Sequence, residues 1–125
     1  MGNFPEGFAT GELLIDVREK DASTLACIWQ GRSTDRDPGA ALNPYFETLL
    51  EAARERDASL EMRFESLEHF NSSTIASLIR FIQTARSRAV PLTLVYDASL
   101  KWQRLSFEAL RVLDKNDRLL ELVSV

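Results

Sequence analysis

Cysteine and histidine are nearly missing from this 125-residue chain, which has only Cys27 and His69. A lone cysteine excludes an intramolecular disulfide. One of each also excludes a metal site needing two cysteines or two histidines from one chain. Glycine is sparse, and neither a Walker-type loop nor a dinucleotide fingerprint occurs, so no glycine-rich phosphate cradle is present. No uninterrupted apolar run approaches the roughly 20 residues of a membrane span. Positive charge is in deficit: 15 Lys and Arg stand against 19 Asp and Glu, a net charge of −4. Arg18, Arg54, Arg80 and Arg111 are scattered along the chain and read as solvated. A duplex-binding protein needs a basic face, so no nucleic-acid partner is expected. The start, Met1-Gly2-Asn3-Phe4-Pro5-Glu6, lacks the basic and hydrophobic segments of a secretory signal and the hydroxyl of a myristoylation signal. A cytoplasmic protein without a membrane span is the expectation.

What is present suits one globular domain. The chain is 45% hydrophobic and 27% charged, ordinary proportions for a single core of this size. No internal repeat, low-complexity segment or linker interrupts it. An N-terminal arm over residues 1–11 precedes a domain over 12–125. Leu13, Ile15 and Val17 alternate with polar neighbours and predict a strand over 12–20. A turn at Asp21-Ala22-Ser23 leads to a second strand over 24–31, an antiparallel hairpin. Residues 32–43 form the longest predicted loop. A first helix is predicted from Pro44, with Asn43 as N-cap and Tyr45, Phe46, Leu49, Leu50 and Ala53 as its apolar stripe.

A third strand is expected over 59–67, and a second helix over 72–88 with Ile75, Leu78, Ile79, Ile82 and Ala85 on one face. A fourth strand over 92–96 follows Pro91. The third helix, over 100–113, is expected to bury Leu105, Ala109, Val112 and Leu113. A fifth strand runs over 119–125. The order ββαβαβαβ predicts an α/β fold: a mixed sheet of about five strands with helices packed mainly on one face.

The chemistry-bearing stretch is Phe70-Asn71-Ser72-Ser73-Thr74, where a strand runs into the second helix. Its hydroxyls meet the unpaired first N–H groups of that helix and the positive end of its dipole, groups that also stabilise a phosphate. Asn and Ser are equally the residues a helix start prefers as plain caps. One cap suffices and four such residues occur in succession, so both readings stand. A hydrolase pairing His69 with Ser72 is disfavoured, because the two belong on opposite sides of the strand-to-helix turn. Glu65 and Glu68 read as surface charge, and Cys27 as a small buried residue.

The element order, with hydroxyl residues opening the helix after the third strand, resembles the STAS domain of bacterial anti-anti-sigma factors. Phe70-Asn71-Ser72-Ser73-Thr74 is similar to the motif of its SiaC-type branch. The stretch Trp29-Gln30-Gly31-Arg32-Ser33, then Pro38 and Tyr45-Phe46 with Leu49-Leu50, resembles that branch's loop and first helix. The resemblance spans about residues 12–125. It implies a SpoIIAA-like fold and a phosphoprotein that antagonises an anti-sigma factor or related target by partner switching.

On this resemblance Ser72 is the phospho-acceptor, with Ser73 and Thr74 as alternates. An ATP-dependent serine/threonine kinase of the anti-sigma-factor type would phosphorylate it, and a metal-dependent serine/threonine phosphatase would reverse the reaction. No cofactor, metal or catalytic step of the chain's own is implied. Two departures stand out: Ser72 occupies a position where the SiaC-type pattern often has Thr, and Thr74 one where the sporulation-type pattern has Gly. Loops at the carboxyl ends of strands share one rim of an open α/β sheet. Asn71, Ser73, Arg32, Ser33, Tyr96 and Asp97 are therefore candidate partner-binding residues, or else ordinary loop residues. Trp102 is either a partner anchor or a core residue. The alternative function, a scaffold or small-ligand binder without phosphorylation, predicts a pocket near Tyr96 and Trp102.

Overall fold

The computed structural model describes residues 4–125; Met1, Gly2 and Asn3 of the N-terminal arm lie outside the described residues. Among the described residues seven strands and three helices follow in order. They are β1 (Phe8–Thr10), β2 (Leu13–Asp21), β3 (Thr24–Ser33), α1 (Gly39–Glu55), β4 (Ser59–Arg63), β5 (Leu67–Phe70), α2 (Ser72–Ser87), β6 (Leu92–Tyr96), α3 (Lys101–Ala109) and β7 (Leu120–Ser124). A 3-10 turn, Leu110–Leu113, extends α3. The sheet order is β1-β2-β3-β4-β6-β7, and β5 pairs with β3. The first three strands are antiparallel, and the remaining pairings are parallel. The fold is thus α/β with a mixed sheet.

Two strands exceed the expected five. The arm supplies β1, turned back on β2 at Gly11, whose φ of +57° suits a residue without Cβ. The expected third strand is broken in two. Leu60, Met62 and Phe64 alternate inward, but Glu65 and Ser66 interrupt the pattern. The Leu67 amide then closes a turn on the Phe64 carbonyl at 3.0 Å. β4 lies beside the first half of β3, and β5 beside its last residues. At this changeover Gly31 carries φ +83°, and a Cβ there would stand 2.0 Å from the Glu12 carbonyl oxygen. Only glycine fits this kink, and the register of β3 against β5 shifts at it.

Helix α1 begins at Gly39, five residues earlier than expected, so the preceding loop shrinks to residues 34–38. Pro38 occupies the N-cap position and its carbonyl accepts from Leu42 at 2.8 Å. Asn43 and Pro44 lie inside the helix. Ala40 and Ala41 favour helix, and burying Leu42 completely rewards the extra turn. That outweighs the one backbone bond Pro44 cannot make.

The core fills one face of the sheet. Ile15, Cys27, Trp29, Leu60, Met62, Leu94 and Leu122 from alternate strand positions pack with Phe46 and Leu49 of α1, Leu78 and Ile82 of α2, and Phe107 of α3. The other face carries Glu61, buried beneath its neighbours, with Lys20 at 3.1 Å and Arg63 at 3.5 Å from its Oε1.

Helix α3 turns a different side inward from the one expected. Gln103, Phe107 and Leu110 are buried, whereas Leu105 is 56% and Val112 is 82% exposed and Ala109 is exposed too; of the four residues expected inside, Leu113 alone packs, half-buried, against the core. Both sets repeat at helical spacing, so periodicity alone does not choose between them. Phe107 stacks on Tyr96 with ring centres 5.3 Å apart and lies 4.8 Å from Phe64. Gln103 is anchored at both ends. Its Nε2 donates to the Phe64 and Leu67 carbonyls at 2.6 and 3.2 Å, and its Oε1 accepts from the Asp97 amide at 2.8 Å. The polar residue wins the interior because it gives buried main-chain groups at the β4–β5 break and the end of β6 a hydrogen-bond partner, in addition to the bond the Phe64 carbonyl accepts from Leu67.

Candidate functional site

The junction of β5 with α2 is held by Asn71. Its backbone is extended (φ −93°, ψ 175°), and its Oδ1 accepts from the Thr74 amide at 2.9 Å, the geometry of an N-cap. The same oxygen accepts from the Thr74 hydroxyl at 2.9 Å. On its other side Asn71 Nδ2 donates to the Asp35 carbonyl at 2.8 Å, and its own amide donates to the Ser33 carbonyl at 3.0 Å. One side chain therefore joins the start of α2 to the end of β3 and to the loop that follows. No acidic side chain stands in the first turn of α2.

The hydroxyl residues divide sharply. Ser72 is exposed and Ser73 half-buried. Thr74 is completely buried, its hydroxyl 2.7 Å from Ser33 Oγ. This corrects the assignment of Thr74 as an alternate acceptor, because no kinase reaches a sealed hydroxyl already committed to two partners. The spacing carried the signal: Thr74 stands four residues before Leu78 and eight before Ile82, on the helix's buried stripe.

The rim residues divide as well. Arg32 is exposed on β3 beside His69 of β5. Ser33 is buried in the contact with Thr74, so it is a structural residue rather than a partner contact. Tyr96 is also withdrawn from the surface. It is buried against Phe107, with its hydroxyl accepting from Arg111 at 3.0 Å. Both are expected on the rim from segments that follow strands, but β3 extends through Ser33 and β6 through Tyr96, and each side chain is buried. Asp97 is half-buried, and its carboxylate is bound by the Ser99 hydroxyl at 2.7 Å and amide at 2.9 Å. Those two donors, the hydroxyl first, hold its carboxyl below the ordinary range.

Trp102 is half-buried, edge-on to Phe70 at 5.1 Å and 5.8 Å from the His69 ring. Tyr96 and Trp102 thus flank the Phe70–Phe107 cluster. A groove of about 590 Å³ lies elsewhere, between the N-terminal arm and α1, lined by Phe4, Glu6, Tyr45 and Glu51 among others. No hydrogen bond among the described residues joins His69 to Ser72. Burial raises the Cys27 thiol to about 12, so it stays protonated near neutrality.

Sequence reasoning missed two residues that organise the site. Asp35 contributes only a backbone carbonyl, for which no residue type is a signal. Gln103 sits on a helix whose apolar residues suggested another inward face.

No group of three or more His, Cys, Asp or Glu side chains among the described residues is placed to hold a metal ion. No described helix is long and apolar enough to cross a membrane. No protein-family model matches this chain, and no curated protein matches it.

Proposed function

We propose that this chain is a STAS-like, phosphorylation-regulated binding protein, with Ser72 as acceptor and the start of α2 as its docking face. The single observation carrying the proposal is the division of labour among the hydroxyl residues. Asn71 and Thr74 do the capping, which leaves Ser72 exposed in the first turn and outside the cap's hydrogen bonds. A helix that needed only a cap already has one.

An ATP-dependent serine/threonine kinase would move the γ-phosphoryl group to Ser72 Oγ, releasing ADP and the hydroxyl proton. A metal-dependent phosphatase would hydrolyse the ester. The chain itself supplies the acceptor and no catalytic group. A phosphoserine brings about −1.5 to −2 charge, which the free N–H groups of the first turn accommodate, so the fold survives. A target protein packed over Ser72 would have to bury a solvated dianion without a partner for it, and binding falls. The switch acts at the interface.

Incubation with a serine/threonine kinase of the anti-sigma-factor type and ATP, followed by phosphate mapping by mass spectrometry, is the direct test. Phosphate on Ser72, lost in Ser72→Ala, is the expected result. Phosphate confined to residues away from α2 removes Ser72 from the proposal. The competing reading, a scaffold or small-ligand-binding domain, gains from the completeness of the Asn71 cap. It predicts that Ser72→Asp leaves every complex of the protein unchanged.

A further inference from the structure

The two edges of the sheet are built differently. β1 has three residues, and Pro5 and Gly7 precede it. An edge that short offers little for another strand to pair with. β7 has five residues, Leu120–Ser124, in unbroken register with β6. Natural sheets blunt a free edge with proline, lysine or a bulge, and β7 carries none of these. The Val125 amide donates to the Tyr96 carbonyl at 2.9 Å, and the Leu119 carbonyl accepts from Leu92 at 3.0 Å. Main-chain groups alternate in direction along a strand, so those of Glu121 and Val123 also turn to β6. Those of Leu120, Leu122 and Ser124 turn to the open edge, where β7 pairs with no second strand among the described residues. Beside that edge Val123 stands 41% and Val125 59% exposed.

We infer that this edge takes the β7 of a second copy of the chain, running antiparallel about a two-fold axis at Leu122. The inference does not depend on Ser72. An edge that pairs antiparallel with itself does so about a two-fold axis, which closes the assembly at a dimer. The residues of β7 suit one register. With Leu122 opposite its counterpart, Leu120 stands opposite the second copy's Ser124, and every outward main-chain group finds a partner. On the sheet face away from the helices, Glu121 then lies opposite the second copy's Val123, and Leu119 opposite its Val125. The exposed valines gain cover and no like charges meet. A shift one way sets Glu121 against its own counterpart, which is unfavourable, and strands outward main-chain groups. A shift the other way strands as many. One strand pair is a small interface, so the dimer belongs to the weak, reversible class.

Sedimentation of the whole protein, with amide hydrogen exchange read by NMR, tests this. The mass is expected to rise from monomer toward dimer as concentration approaches about 1 mM, the weak end of specific association. Over the same range the Leu122 and Ser124 amides are expected to gain protection, while those of Glu121 and Val123 are protected throughout. Ser124→Pro removes an outward donor without touching the bonds to β6, and is expected to weaken association about tenfold or more. Val123→Glu, placed against the second copy's Glu121, is expected to weaken it as well, whereas Val123→Lys at the same place is not. The two Val123 variants carry the test if Ser124→Pro does not fold. Protein that stays monomeric up to that concentration overturns the second copy as occupant and leaves the edge to a strand of another protein. A dimer whose Leu122 amide exchanges as freely as in the monomer, or that is undiminished in Ser124→Pro, overturns the edge pairing. Weakening by Val123→Lys equal to that by Val123→Glu overturns the register.

Discussion

Helices α2 and α3 stand on the same face of the sheet and are held there by different means. α2 carries its own instructions: a side-chain cap at Asn71 and an inward stripe of Thr74, Leu78, Ile82 and Ala85. α3 has no side-chain cap at Leu100, and it buries a glutamine with Phe107 while leaving Leu105 exposed. The first helix is specified by local pattern, the second by what the rest of the fold needs there. The difference matters for function. The helix bearing Ser72 begins at a fixed point set by short-range bonds, so its exposed serine has a fixed place. The helix bearing Trp102 is positioned by Gln103, which ties it to the carbonyls of Phe64 and Leu67.

If α3 is docked by tertiary contacts, the largest loss should come from its one large buried ring. Phe107→Ala is expected to destabilise the protein by about 3–5 kcal/mol in urea unfolding, the range for emptying a buried aromatic site. A loss under about 1 kcal/mol would show that α3 does not need its aromatic contacts and would break the contrast with α2. Gln103→Leu sharpens it further. The change keeps the residue large and more apolar, yet takes the Gln103 side-chain partner away from the Leu67 carbonyl and the Asp97 amide and leaves the Phe64 carbonyl with the Leu67 amide alone. About 2–3 kcal/mol of destabilisation is expected, since stranded buried polar groups cost more than the added hydrophobicity returns. A more stable Gln103→Leu protein would mean that hydrophobicity, not the polar anchor, selects the inward face. The smallest effect belongs to the outward stripe. Leu105→Ala and Val112→Ala should each change stability by less than about 0.5 kcal/mol, as substitutions on an open surface do. Losses near those of a buried leucine would restore the inward stripe first expected from the sequence.

The parts of the fold legible in the sequence were those governed by neighbours in the chain. The β2–β3 hairpin was readable from alternation at Leu13, Ile15 and Val17. The α2 stripe was readable from its spacing, and residue type marked Asn71 to Thr74 as able to cap it without saying which of them does. The split of the third strand was half-visible, because alternation stops after Phe64. That Leu67–Phe70 rejoins the sheet beside β3 depends on the kink at Gly31, far away in sequence. The start of α1 was misplaced because Pro44 is a strong local signal for a helix beginning. Burial of Leu42, a tertiary reward, overrode it.

Within the candidate site the same boundary appears. Ser72 and Asn71 were recognisable by type and place. The sealing of Thr74, Ser33 and Tyr96 was not, since strand ends and helix starts do not announce which side chains turn inward. By itself, the sequence determined that α2 follows a strand and which of its residues form the inward stripe, because amphipathic spacing is a short-range property. Only the tertiary structure decided which hydroxyl remains accessible, which side of α3 is buried, and that the loop after β3 is tied to Asn71. Those outcomes depend on satisfying polar groups brought together from distant parts of the chain, and no local pattern encodes such a requirement.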